Sequence, residues 1–224
     1  MIALPSLEES ARFEYENNFY LGCDTSRLSK LIAHYELFQK SLNVPGEIVE
    51  CGVFKGAGLS KWIRFREIFC NRMEKEIIGF DTFGKFPETN YDDDIEYRKQ
   101  FVESAGNESI GKEQLMDLLR NLNLDTNVTL VEGDIRVSVP EFIEKTPHLK
   151  ISLLNIDVDI YESTKFAIEA FFPYVAQNGI VIVDDYSVFP GATKAIDDFF
   201  RDNGISFPIS KLPFSKTPSY FIRE

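Results

Sequence analysis

The sequence is poor in the residues that build stapled or metal-clipped small proteins. Its three cysteines, Cys23, Cys51 and Cys70, are an odd number with no CxxC pair, and its two histidines, His34 and His148, lie in no motif. Neither a disulfide scaffold nor a Cys/His zinc site is therefore suggested, and the thiols read as reduced and cytoplasmic. Both histidines read as surface or packing residues. No apolar run approaches the roughly 20 residues of a membrane span. The opening MIALPSLEESARFEYE has neither the basic region nor the apolar stretch of a secretory leader, so a soluble cytoplasmic protein without a membrane partner is expected. Positive charge is also scarce. Against 36 Asp plus Glu stand 24 Lys plus Arg, a formal net charge of -12, which repels nucleic-acid backbones and anionic membranes on average; no nucleic-acid partner is expected.

What is present is apolar bulk: 44% hydrophobic residues, including 20 phenylalanines, in a chain of 224. That excludes general disorder and fits one domain. Five short apolar runs recur between helical stretches, EIVECGV (47–53), IIGFDT (77–82), VTLVEGD (128–134), ISLLNIDVD (151–159) and GIVIVDD (179–185). They are continuous rather than alternating, as parallel strands covered on both faces should be, and each gap leaves room for a crossover helix. The expected fold is α/β, a doubly wound and mostly parallel sheet. Its helices are marked by Leu59, Trp62, Ile63 and Phe69, by Ile168, Phe171, Phe172 and Val175 with Pro173 as terminator, and by 191–202. The tail around Pro213 and Pro218 reads as an antiparallel edge hairpin.

Residues 1–45 read as an N-terminal helical extension, with Leu28, Leu31, Ile32, Tyr35 and Phe38 as its packing stripe, and its apolar density suggests a homodimer. The polar segment 84–113 reads as a lid over the active site, being too long for a simple connection. The run Asp92, Asp93, Asp94 inside it reads as a solvated face.

In open α/β sheets ligands bind beyond the carboxyl ends of the strands, and four of the five runs end in acids. The first run leads into Glu50-Cys51-Gly52-Val53-Phe54-Lys55-Gly56-Ala57-Gly58, a turn whose glycines admit a ligand close to the backbone and a helix N-terminus. It does not fit G-x-G-x-x-G, which disfavours a dinucleotide-dependent oxidoreductase. Asp81, followed by Thr82, ends the second run where a carboxylate can accept both ribose hydroxyls. Asp134 ends the third, in reach of an adenine edge or as a cap of the next helix. Asp157 and Asp159 end the fourth and Asp184 and Asp185 the fifth, with no sequence-local cation. Carboxylates packed this closely repel one another, and an oxygen-liganded divalent cation, Mg²⁺ or a relative, resolves the repulsion. The competing reading makes Asp159 and Asp185 caps of the helices that follow them.

VECGVFKGAG, IIGFDTFGKFPE, NIDVDIYEST and NGIVIVDDY with PGATKAIDDFF behind it together resemble the macrocin O-methyltransferase family, which also contains the novobiocin and mycinamicin sugar methyltransferases. The resemblance runs from about residue 25 to 205. It implies a Rossmann-like methyltransferase fold, S-adenosylmethionine and Mg²⁺ as cofactors, and a sugar hydroxyl as acceptor. It further implies that Asp157, Asp184 and Asp185 hold the metal, that Asp159 is the candidate base, and that Glu50, Gly52, Asp81 and Asp134 lie along the methyl donor, with Val53, Gly56 and Thr82 beside them. Catechol-type enzymes carry Asn after the second strand-tip Asp and a lysine base three residues beyond the first; Asp185 and Ile160 stand there in this chain, which favours the sugar type. A non-catalytic nucleoside-binding protein is the remaining alternative.

Overall fold

The computed structural model describes residues 8–224. After a short 3₁₀ turn come α1 (Arg12–Gly22), α2 (Thr25–Ser41), β1 (Glu47–Cys51), α3 (Ala57–Phe69), β2 (Ile77–Asp81), α4 (Asp92–Ala105) and α5 (Lys112–Asn121). They are followed by β3 (Val128–Glu132), α6 (Ile135–Lys145), β4 (Ile151–Ile156), α7 (Tyr161–Phe171), β5 (Val175–Val183), α8 (Pro190–Asn203), β6 (Ser210–Lys211) and β7 (Ser219–Ile222). The strands form one sheet in the order β3-β2-β1-β4-β5-β7-β6. The first five are parallel, and β7 and β6 add antiparallel at the edge. This is the expected doubly wound sheet with its C-terminal hairpin.

The parallel strands are mostly apolar because both faces of the central sheet are covered. Ile48, Leu153 and Ile182 join Leu37, Phe38, Trp62 and Leu115 on one side. Their neighbours Val49, Leu154 and Val181 join Phe80, Phe171, Ile196 and Phe221 on the other. Strand order reverses between β1 and β4, and the helices that follow them, α3 and α7, pack on opposite faces, the arrangement beyond whose strand ends open α/β sheets bind ligands.

Several local expectations are corrected. In α2 the buried face is Ala33, His34, Leu37 and Phe38, while Ile32 and Tyr35 are exposed; the expected stripe is rotated because this face meets both α3 and the strand tips. Phe69 at the end of α3 is also exposed. Val175 is not helical. Pro173 sits in a single 3₁₀ turn, and Val175 already pairs with Ile151 as the first residue of β5. Residues 1–7 of the expected extension lie outside the described residues.

Segment 84–113 contains a helix, α4, and its two ends are joined. Lys85 and Glu108 form an antiparallel bridge, and Phe86 N–H donates to Asn107 O at 2.9 Å. Phe101 of α4 packs on Phe54 and Phe86, with ring centroids 5.5 and 5.1 Å apart, so the segment lies over the β1 turn. The run Asp92–Asp94 is not all solvated: Asp94 is fully buried, where it accepts N–H groups from Tyr161 and Gly191.

Candidate active site

The acidic tips are aligned by the sheet itself. Beyond the paired residues Cys51, Ile156 and Val183 the parallel ladder continues for one more step: Asp157 N–H donates to Cys51 O at 2.9 Å and Asp184 N–H to Ile156 O at 3.0 Å. Gly52, Asp157 and Asp184 therefore stand abreast. Gly52 has φ +94°, and a Cβ there would lie 1.8 Å from the Asp157 carbonyl oxygen, so only glycine lets the two tips approach this closely.

Asp157, Asp184 and Asp185 each present a carboxylate oxygen, and the three lie within 4.8 Å of one another. Asp159 is buried beside them, and its charge is felt by Asp185. β4 ends at Ile156, and Asp159 adopts φ +59°, a left-handed conformation that turns its buried side chain back to the cluster. Neither Asp159 nor Asp185 caps a helix. The N-cap of α7 is Ile160 and that of α8 is Phe189, both without a side-chain capping bond.

The electrostatics follow from burial among like charges. Burial and then the neighbouring Asp157 and Asp184 push Asp159 up to about 8. Burial and the Asp159 charge raise Asp185 well above the usual carboxylate range. Burial and Asp184 push Asp157 up to about 6. Asp184 goes the other way: burial opposes its ionisation, but Lys30 and His34 outweigh that and hold it low. Among the described residues, Asp184 Oδ1 and Asp185 Oδ2 are buried without a hydrogen-bond partner. Unpartnered carboxylate oxygens in an all-oxygen cluster are what a hard divalent cation binds, so these residues fit such an ion.

The strand-tip motifs hold no local cation, and the fold supplies one from far away. Lys30 of α2 donates from Nζ to Asp184 Oδ2 at 2.5 Å and stands 3.6 Å from Asp157 Oδ2. His34, one turn later on the same face, is a packing residue as expected, stacked on Trp62 with centroids 4.7 Å apart. It also lines the site, with Nε2 3.7 Å from Asp184 Oδ1. Lys61 Nζ lies within hydrogen-bond distance of His34 Nδ1, 2.7 Å away, and burial keeps the imidazole neutral by lowering it to about 4. The i, i+4 spacing of Lys30 and His34 was visible in the sequence; which strand tips that face would meet was not. His148 is exposed, as expected.

The residues expected along a methyl donor divide into three groups. Glu50 is buried behind the turn, its Oε1 accepting from Trp62 Nε1 and Asn155 Nδ2, each at 3.0 Å; its Oε2 has no hydrogen-bond partner among the described residues. Burial and the Asp157 charge push it up to about 8. The turn itself alternates into the left-handed region at Gly52, Phe54 and Gly56, while Val53 sends its side chain into the core. Asp81 fixes this turn from the next strand: Oδ2 accepts Phe54 N–H at 2.9 Å and Oδ1 accepts Phe83 N–H at 2.7 Å. Thr82 donates to Lys85 O at 3.1 Å. Asp134 takes its capping alternative. It is the N-cap of α6, accepting Arg136 N–H at 2.9 Å and pairing with the Arg136 guanidinium.

A family model described as Macrocin-O-methyltransferase (TylF) matches residues 22–221. The chain is 29% identical over 171 residues to the 8-demethyl-8-(2,3-dimethoxy-alpha-L-rhamnosyl)-tetracenomycin-C 4'-O-methyltransferase of Streptomyces olivaceus, which covers 75% of this chain and 63% of that protein. It is 27% identical over 162 residues to the demethyldecarbamoylnovobiocin O-methyltransferase of Streptomyces niveus, covering 70% and 59%. The chain thus spans less than two thirds of the length of these curated relatives. Among solved structures, the calicheamicin methyltransferase CalS11 superposes with a TM-score of 0.77 at 26% identity, covering 97% of this chain and 86% of that one. An apo structure of CalS11, described as a TDP-rhamnose 3'-O-methyltransferase, gives a TM-score of 0.68 at 26% identity over 97% and 87%. The matched span takes in the acidic strand tips and the glycine-rich turn together, and the chain belongs to the macrocin-O-methyltransferase (TylF) family.

Proposed function

We propose that this protein is an S-adenosylmethionine-dependent and divalent-cation-dependent O-methyltransferase acting on a hydroxyl of a sugar or sugar-bearing small molecule. The observation that carries the reading is the set of three carboxylates, Asp157, Asp184 and Asp185, gathered within 4.8 Å beside a glycine turn at the switch point of the sheet. The names of the relatives support it: one is a rhamnosyl-tetracenomycin O-methyltransferase, one a demethyldecarbamoylnovobiocin O-methyltransferase and one a TDP-rhamnose 3'-O-methyltransferase.

In this reading the 52–56 turn receives the donor, with Asp81 on its ribose. Asp159 takes the proton of the acceptor hydroxyl as the methyl group passes from the sulfonium to that oxygen. Lys30, its charge maintained by Asp157 and Asp184 despite burial, is no proton acceptor. A divalent cation held by Asp157, Asp184 and Asp185 would polarise the acceptor hydroxyl and neutralise the charge that keeps Asp159 protonated. The 84–113 segment, lying over the turn, excludes water from the reacting atoms.

The free cysteines support a reducing, cytoplasmic compartment, and no helix among the described residues is long and apolar enough to cross a membrane. The exposed Phe13, Tyr20 and Leu21 of α1 support a homodimer contact. The net charge of -12 speaks against a nucleic-acid partner.

The test is calorimetry with S-adenosylmethionine and with NAD, followed by S-adenosylhomocysteine release from a panel of TDP-sugars and rhamnosides with and without EDTA. Donor binding, and turnover that EDTA abolishes and Mg²⁺ restores, are expected. Turnover that survives EDTA overturns the cation requirement, and binding of NAD in place of the donor overturns the whole reading.

A further inference from the structure

Lys30 lies on α2, outside every strand-tip motif, and is separated by 154 residues from the carboxylate it binds. Its side chain is only 17% exposed, so its ammonium is committed to the site rather than to solvent. It bridges two of the three clustered carboxylates, 2.5 Å from Asp184 Oδ2 and 3.6 Å from Asp157 Oδ2. The helix that carries it is held from the other side as well, with Ser29 Oγ 3.3 Å from Ser215 Oγ in the segment leading to β7. The cluster still contains unpartnered buried oxygens on Asp184 and Asp185, so one ammonium does not satisfy it.

We propose that Lys30 is a built-in counter-cation that occupies the mouth of the acidic cluster and must be displaced when a divalent cation binds there. This rests on the cation reading above and adds a positioning residue to it. The geometry supplies the reason. A divalent ion sits about 2.0 to 2.6 Å from its carboxylate oxygens. Asp184 offers the ion its unpartnered Oδ1 on the same carboxylate whose Oδ2 holds the ammonium at 2.5 Å, and an ion that also engaged Oδ2 would stand no farther than about 5 Å from that ammonium by adding those two distances. Like charges that close, in a part-buried setting with weak screening, repel strongly. The ammonium holds the carboxylates together until the ion arrives, and it raises the ion concentration needed to load the site.

The experiment is isothermal titration of Mn²⁺ into chelator-stripped wild type, Lys30→Met and Lys30→Arg, without donor or acceptor. Methionine keeps most of the stem's packing and removes the charge; arginine keeps the charge. Lys30→Met should bind Mn²⁺ about tenfold more tightly or better, a change of 1.4 kcal/mol, while Lys30→Arg stays close to wild type. The thermal midpoints give a second reading: stripped Lys30→Met melts lower than wild type, and Mn²⁺ raises it by a larger increment. A purely structural lysine would weaken binding or leave it unchanged on removal, and either result in Lys30→Met overturns the proposal while leaving the cation site intact. Failure of all three proteins to bind Mn²⁺ overturns the cation site itself, and with it the proposal.

Discussion

The carboxylate of Asp94 accepts the backbone N–H of Gly191 at 2.7 Å on one oxygen and that of Tyr161 at 2.8 Å on the other. Tyr161 and Gly191 belong to the first turns of α7 and α8, where N–H groups lack helical partners and the helix dipole favours an anion. One acid from the 84–113 segment therefore caps both helices that follow the acidic strand tips. The fit has no slack, since a Cβ on Gly191 would lie 1.9 Å from Asp94 Oδ2. Asp94→Ala should lose about 2 to 4 kcal/mol of stability, the penalty for leaving two buried donors unmet. Gly191→Ala should destabilise in the same direction by pushing the carboxylate out. Both variants should also be cleaved faster within 84–111 in limited proteolysis. Unfolding midpoints equal to wild type would show that the double cap does not hold the segment down.

The sheet was legible because its signal is local and strong. Ile48-Val49, Leu153-Leu154 and Val181-Ile182 can be apolar on both faces only if both faces are covered, and that alone specifies parallel strands under helices. The acids at the strand tips were legible for the same reason, since parallel register puts residues one step past Ile156 and Val183 side by side. Contacts that depend on how a helix is turned were not legible. Lys30 and Lys61 look like ordinary solvated lysines in sequence, and only the rotation of α2, which exposes Ile32 and buries His34, brings Lys30 to Asp184. Asp94 was hidden likewise, because the middle of an acidic run gives no sign of the two helix ends it will meet.

Glu50 should make stability fall as pH rises. Burial and Asp157 push it up to about 8, against an ordinary 4.5, so between these values the folded protein holds a proton that the unfolded chain releases. Stability from this group is then fully present below about 4.5 and is lost as pH rises through about 8. Asp159 and Asp185 act in the same sense, so wild type alone does not isolate the effect. Glu50→Gln, which titrates no longer and can keep the oxygen facing Trp62 and Asn155, should show a shallower decline of Tm from pH 5 to 8 in chelator. Parallel declines in the two proteins would sink the assignment.

Asp81 offers a test of donor placement that separates contact from scaffolding. Its carboxylate already fixes Phe54 and Phe83 through their N–H groups, so Asp81→Ala should weaken S-adenosylmethionine binding by about 1 to 3 kcal/mol whether or not the ribose touches it. The 2′-deoxy analogue of the donor resolves the two causes as a double-mutant cycle. If the ribose hydroxyl meets Asp81, wild type should prefer the natural donor and Asp81→Ala should not discriminate. An equal preference in both proteins would leave Asp81 as a brace of the turn only.

Asp159 carries the most exposed mechanistic assignment, and the structure removes the explanation that would have confused its test. A capping role is gone, since Asp94 serves the N–H of Tyr161 and the N-cap position is Ile160. The backbone at Asp159 is left-handed, φ +59°, a conformation that asparagine adopts about as readily as aspartate. Asparagine also keeps the shape of aspartate, so folding and cluster geometry should persist. As the group that receives the acceptor's proton, Asp159 should leave turnover about 10² to 10⁴-fold lower when replaced by asparagine, with the Kd values for donor and for Mn²⁺ within about twofold of wild type, a difference of less than 1 kcal/mol. Turnover near wild type with both ligands bound normally would assign the proton to solvent and leave Asp159 only as a buried neighbour of the metal-binding carboxylates.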